Sequence, residues 1–288
     1  RKVAFDIVKE HGEEVFPEPS SEAETKPSPT SAKNESIQVT KQERSPMAVP
    51  PKVSVVINEE QLRDYLGPPI YHKDRMYTNT MPAGVALGLG YLGNGSGSLM
   101  PIETTLMPGK GNLHLTGKLG DVIKESASIA LSWVKSHAYE LGLTKEPGDT
   151  LLDHRDVHLH MPEGAIGKEG PSAGVAFAVS LISLLTDRSL PTKLAMTGEV
   201  SLRGMVLPVG GLKEKLLAAH RAGITTVILP AHNRPSVEAD VPKSVLDDLE
   251  VHYVTNVWAA LDVAFGHGPW SAQARVWSAN ETPEAASQ

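Results

Sequence analysis

Between residues 156 and 161 apolar and polar side chains alternate (D-V-H-L-H-M), whereas the run that starts at Ala173, V-A-F-A-V-S-L-I-S-L-L, is apolar on nearly every face. The first pattern predicts a strand with one buried side and the second a buried helix. Between them lies the turn 163–174, E-G-A-I-G-K-E-G-P-S-A-G. Pro171 suits a first helical position, so Ser172 is expected at a helix start. The backbone N–H groups from Gly170 through Ala173 to Gly174 would then lack helical partners and could hold an oxyanion.

The same periodicities place the other elements. Residues 84–107 read as two strands around Asn94-Gly95, a dipeptide favoured by two-residue hairpin turns, and 113–116 read as another strand. Residues 119–141 keep Val122, Ile123, Ala127, Ala130, Val134 and Leu141 at helical spacing, which makes this the longest predicted helix. Downstream, 194–211 supplies two extended segments, and 211–223 a helix closed by Gly223. A strand at 225–230, a helix starting near Pro242, a strand at 250–254 and a helix at 257–265 follow. From Gly266 the chain reads as a loose tail. This alternation indicates an α/β or α+β domain with an antiparallel hairpin region at its start.

The N-terminal fifth reads differently. Residues 1–10 have helical spacing without a cap, so the sequence is expected to begin inside a larger protein. Residues 11–52 are dominated by Pro, Ser, Glu, Thr and Lys, the composition of a disordered insert. V-S-V-V-I at 53–57 predicts a strand, and the segment after it a short helix capped by Asn58 and stopped by Gly67.

Composition narrows the chemistry. A net charge of −7 and a pI near 5.9 argue against a nucleic-acid surface, and no apolar run is long enough to span a membrane. With no cysteine, a covalent nucleophile must be Ser, Thr, Lys or a carboxylate. Gly88-x-Gly90-x-x-Gly93 fits a dinucleotide fingerprint as a string but runs into Asn94-Gly95, not a helix. Ser132-x-x-Lys135 falls inside the long helix, where no oxyanion donors are free. No nucleotide-binding P-loop pattern occurs. His158 and His160 share a strand face, yet no third ligand stands at a suitable spacing, so hydrogen-bonded strand histidines are the simpler reading.

One lysine is out of place. On a helix turning about 100° per residue, Lys215 falls among Leu212, Leu216, Ala219 and Ala222, while Lys213 points away with His220. Either its stem packs and its amine reaches water, or the amine is desolvated and its pKa falls.

Five ordered blocks then carry a resemblance: P-G-K-G-x-L-x-L-T-G-K-L-G-D-V-I-K-E-S (108–126), H-L-H-M-P-E-G-A (158–165), G-P-S-A-G (170–174), A-M-T-G-E-V-S-L-R-G (195–204) and L-P-V-G-G-L-K-E-K-L-L-A-A-H-R-A-G (207–223). The chain resembles the proteolytic domain of Lon, the ATP-dependent serine protease with a Ser/Lys dyad. The resemblance implies a mixed sheet with antiparallel hairpins and flanking helices. It makes Ser172 the nucleophile, Lys215 the base and Thr197 the hydroxyl that orients the lysine. Glu169 stands where an aspartate is usual three residues before the nucleophile, and Glu103 matches an acidic residue near the family's site.

By the same resemblance, 1–10 and 53–75 belong to the small helical subdomain of an AAA+ module. The proteolytic domain is then 76–267 and the flexible tail 268–288. No cofactor is implied within these residues; ATP and Mg²⁺ would belong to the missing AAA+ module. Unfolded polypeptides as substrates and a hexameric ring follow from the resemblance, with neither nucleic acid nor membrane as a partner. L-S-W-V-K-S-H-A, L-L-D-H-R-D-V-H-L-H and L-R-G-M-V-L-P-V-G-G are similar to the peroxisomal branch more than to the mitochondrial one, which implies an organelle matrix. The alternative is a non-catalytic module of the same fold that holds substrate or serves assembly.

Overall fold

The computed structural model describes residues 6, 9, 56–58, 61–67, 77, 79–92, 95–162 and 167–274. The chain divides into two units, residues 1–72 and 73–288. In the first unit, Asp6 and Lys9 are helical, and the proposed insert lies outside the described residues. Its helix, α1 (Leu62–Leu66), begins later than the sequence suggests, and Asn58 donates its N–H to Gln61 Oε1 at 3.3 Å instead of capping the helix. Gly67 follows at φ +84°. Val56 and Ile57 are not in a strand, and 53–55 lie outside the described residues.

The second unit is built on β1 (Val85–Leu92), β2 (Ser96–Pro108), β3 (Leu113–Thr116), α2 (Asp121–Ser136), β4 (Arg155–His160), α3 (Gly174–Thr186), β5 (Leu194–Met196), β6 (Glu199–Val200), β7 (Val206–Leu207), α4 (Leu212–Arg221), β8 (Thr226–Pro230), α5 (Arg234–Asp240), α6 (Lys243–Leu246), β9 (Glu250–Val254) and α7 (Val257–Phe265). Among the described residues one sheet runs β3-β4-β2-β1-β5-β8-β9 and β6 pairs with β7. The β1/β2 and β2/β4 pairs are antiparallel, whereas β3/β4, β1/β5, β5/β8 and β8/β9 are parallel. The α/β expectation with an early hairpin therefore holds. Residues 93–94 of the hairpin turn lie outside the described residues, and β1 and β2 pair from Leu92 opposite Ser96.

The apolar helix α3 is the centre of the core. Its residues from Gly174 to Ser183 are buried, against β1 and β2 on one side and against α2 and α7 on others, which accounts for apolar side chains all round it. The stripe Ile123, Ala127, Ala130 and Val134 of α2 is buried as its spacing requires. Val122 is 46% exposed, because one residue is about 100° of rotation and carries it off that stripe. The helix ends at Ser136, short of Leu141.

Three further expectations are corrected. Pro171 does not open α3: Ala173 is the cap residue, so Ser172 sits in the turn ahead of the helix. A helix does start at Pro242, which caps α6, but the stretch holds a second helix that the sequence did not show: α5 starts at Arg234, and extended Pro242 (ψ 136°) separates the two. The segment from Gly266 to residue 274 is also not a loose tail. Trp270 is fully buried, its indole N–H donates to Gly266 O at 3.0 Å, and Ser271 donates to Asp262 Oδ1 at 2.5 Å. A lone tryptophan in a polar segment has no periodicity to betray it. Trp270→Ala is expected to destabilise the domain by about 3 to 5 kcal/mol in urea denaturation, as large aromatic deletions in cores do; an effect below about 1 kcal/mol would return 268–274 to the tail.

Candidate active site

The site forms where β5 ends. After Met196 the chain leaves the sheet at Thr197, whose N–H donates to Ile228 O at 3.1 Å, and Gly198 N–H donates to Ser172 O at 2.8 Å. Thr197 is fully buried, and its hydroxyl donates to the same Ser172 carbonyl at 3.1 Å. Lys215 Nζ in turn donates to Thr197 Oγ1 at 3.1 Å. A lysine is thus connected through one threonine to the backbone of the serine. The excursion also explains why 194–211 holds three short strands and not two long ones.

Lys215 reaches this point because α4 lies directly on the hairpin. A Cβ built on Gly97 of β2 would overlap Glu214 O and approach Lys215 N to 2.9 Å, so the helix backbone occupies the space a side chain would need. The lysine side chain is only 2% exposed, while Lys213 is exposed, which decides between the two sequence readings in favour of burial. Desolvation pulls the Lys215 pKa down to about 8. Ser172 and Lys215 both line a cleft of about 950 Å³, whose apolar wall includes Leu89, Met100, Ile123, Met161 and Val209. Among the described residues Ser172 Oγ has no hydrogen-bond partner, so the serine is accessible but not bonded to the lysine.

The expected oxyanion donors divide. Gly174 N–H donates to Pro171 O at 3.2 Å and Val175 N–H to Gly198 O at 3.0 Å, so Gly174 is spent. The N–H groups of Gly170, Ser172 and Ala173 have no partner among the described residues.

Glu169 is placed against α2 and not against the lysine. Its carboxylate lies where a Cβ on Gly120 would be, and Gly120 caps α2 without a side-chain hydrogen bond. A carboxylate there meets the positive end of the helix. The neighbouring backbone is tied to the same stretch: Gly120 N–H donates to Lys168 O at 2.9 Å and Lys168 N–H to Lys118 O at 3.2 Å. Residues 163–166 lie outside the described residues. Glu103 does not line the cleft. It accepts the Tyr77 phenol at 2.5 Å, and burial first, then Glu103, pushes that phenol up to about 12.

The remaining sequence candidates are structural. His158 Nε2 and His160 Nδ1 both meet Thr116 Oγ1, at 2.9 and 2.7 Å, and no cluster of three potential metal ligands occurs among the described residues. Gly88 and Gly90 lie in β1, and Ser132 bonds back to Ser128 O within α2.

An accessible serine just before a buried helix and a desolvated lysine thus line one cleft of an α/β domain. The model of the Lon protease (S16) C-terminal proteolytic domain matches residues 56–267, and the chain belongs to that family. It is 43% identical over 268 residues to "Lon protease homolog 2, peroxisomal" of Xenopus laevis, covering 93% of this chain and 30% of that protein. It is 44% identical over 238 residues to the protein of that name from Mus musculus, covering 82% of this chain and 27% of the relative. For the one from Oryza sativa subsp. indica the figures are 47% over 214 residues, 74% of this chain and 24% of the relative. The chain thus spans less than a third of the length of these curated relatives.

Burial of Lys215 sets a stability expectation. Its pKa falls from about 10.4 unfolded to about 8 folded, so below pH 8 the folded state carries a penalty of about 3 kcal/mol. Between those values the unfolded chain holds the extra proton, and stability rises with pH. Lys215→Met removes the penalty along with one hydrogen bond worth about 1 kcal/mol, so it is expected to stabilise the domain by about 2 kcal/mol at pH 7. That gain should shrink as pH rises past about 8, pass through zero at pH ~10 and turn into a loss of about 1 kcal/mol once the unfolded lysine is neutral too, as followed by chemical denaturation across pH. A pH-independent difference would mean that the lysine is charged in the folded state.

Proposed function

We propose that this chain is the proteolytic unit of a Lon-type serine endopeptidase, with Ser172 as nucleophile and Lys215 as general base. The observation that carries this reading is the desolvated Lys215 amine, held by Thr197 in the cleft that Ser172 enters. In its neutral form the amine gives one N–H to Thr197 Oγ1 and keeps its lone pair for the Ser172 hydroxyl proton. Ser172 Oγ attacks the peptide carbonyl as Lys215 takes that proton, and unpartnered N–H groups of the turn stabilise the oxyanion. The lysinium then protonates the departing amine, the C–N bond breaks, and the acyl-enzyme remains. Water, activated by the same lysine, releases the acyl group and restores Ser172.

The substrates in this reading are unfolded or damaged polypeptides, extended enough to enter an open cleft. The shared name of the relatives supports a place in peroxisomal protein quality control. Their greater length supports an ATP-driven AAA+ module outside these residues, where ATP and Mg²⁺ would bind, and assembly as a hexameric ring. Glu169, at the start of α2, would hold the serine loop in place, whereas Glu103 has no part in the chemistry.

Peptide hydrolysis by the full-length protein is expected to disappear in Ser172→Ala and in Lys215→Met, each with unchanged circular dichroism. A peptidyl phosphonate should label Ser172 in the wild type and not in Lys215→Met. Since the base works only when neutral, kcat/KM should rise with pH about a midpoint near 8. Hydrolysis retained by either variant would sink the dyad, and no labelling of the assembled wild type would leave a non-catalytic module.

A further inference from the structure

Both carbonyl groups that flank Ser172 are held from the same side. Pro171 O accepts the Ser126 hydroxyl at 3.2 Å and Gly174 N–H at 3.2 Å, while Ser172 O accepts Gly198 N–H at 2.8 Å and the Thr197 hydroxyl at 3.1 Å. These partners gather around Gly174, where a Cβ would lie 3.2 Å from Ser126 Oγ and 3.3 Å from Gly198 O. Gly174, Ser126 and Thr197 are all buried, so both carbonyls point into the protein.

A trans peptide unit is planar, and its C=O and N–H point in opposite directions. The unit that carries Pro171 O also carries Ser172 N–H, and the unit that carries Ser172 O also carries Ala173 N–H. Holding the two carbonyls inward therefore turns both N–H groups outward, to the cleft that Pro171, Ser172 and Ala173 line. Neither N–H has a partner among the described residues.

Ser126 is unusual among the serines of its helix. Ser128 and Ser132 bond back to Lys124 O and Ser128 O, four residues earlier, which is the ordinary choice for a helical serine. Ser126 instead reaches out of α2 to the peptide in front of the nucleophile. We infer that Ser126 is a positioning residue of the catalytic centre: by holding the Pro171 carbonyl, its hydroxyl aims Ser172 N–H at the oxyanion formed during acylation. Thr197 and Gly198 do the same for Ala173 N–H. The inference rests on the serine–lysine reading above and adds the residue that orients its first oxyanion donor.

The test uses the full-length protein with a fluorogenic peptide and a peptidyl boronate, whose tetrahedral adduct on Ser172 places an oxygen at those N–H groups. Because Gly174 N–H still holds Pro171 O, Ser126→Ala is expected to lower kcat by about tenfold, less than the loss of a whole oxyanion donor. KM and the pH midpoint should stay put, and boronate affinity should fall by the same factor as kcat. Ser132→Ala, on the same helix, should match the wild type. Wild-type kcat in Ser126→Ala overturns the inference, and so does a fall in kcat with boronate affinity unchanged or with KM raised in step. Hydrolysis retained in Ser172→Ala would overturn the dyad itself. An inactive Ser172→Ala beside a fully active Ser126→Ala would overturn only the role given to Ser126.

Discussion

Lys215 Nζ lies almost wholly out of water, hydrogen-bonded to Thr197 Oγ1 at 3.1 Å and with no carboxylate in contact among the described residues. An ammonium in that position has lost its hydration and gained no counter-charge, so its pKa falls to about 8 and the neutral amine becomes available just above neutral pH. A carboxylate at hydrogen-bond distance would reverse the preference, because the pair would hold the proton on the lysine. Glu169, the acidic residue nearest the serine in sequence, instead rests against the N-terminus of α2. Its placement leaves Lys215 without a counter-charge, so the lowered pKa of about 8 stands, and sets the carboxylate beside the start of α2.

The fold makes that burial geometrically available. Helix α4 can bring Lys215 under the cleft only because β2 carries Gly97 where the helix backbone crosses it. Helix α3 can start beside Gly198 and Val200 only because its first residue, Gly174, has no side chain; a Cβ there would stand 2.7 Å from Val200 N. Two close backbone approaches thus bring together three segments distant in sequence, the serine turn, the Thr197 excursion and the Lys215 helix. The folding energy comes from the apolar core around α3, and the buried lysine draws on it.

The cleft is correspondingly divided by chemistry. Its wall is apolar at Leu89, Met100, Ile123, Met161 and Val209, and beside the charged residues Lys168, Glu169, Glu199 and Glu214 it carries the unbonded serine hydroxyl, the lysine amine and backbone N–H groups of the serine turn. Everything that orients those groups lies behind them, in buried Thr197 and Ser126 and in backbone bonds from Gly198 and Gly174. Low exposure there excludes competing water, which keeps the hydrogen bonds directional.

Much of this was written in local pattern. The alternation at 156–161, the apolar run after Ala173, the hairpin of β1 and β2, and the inward face of Lys215 all depend on residues within a few positions of one another. So did the choice of Ser172 and Lys215, since the blocks around them are short and specific. Tertiary structure alone decided what those residues meet. It turned Pro171 into part of the turn before α3, spent Gly174 N–H on Pro171 O, and moved Glu103 to Tyr77 and Glu169 to Gly120. It also buried Trp270 and led Ser126 across to the serine turn. Periodicity records which face of an element is apolar, but a hydrogen bond between segments depends on where the chain returns, and no local window contains both partners.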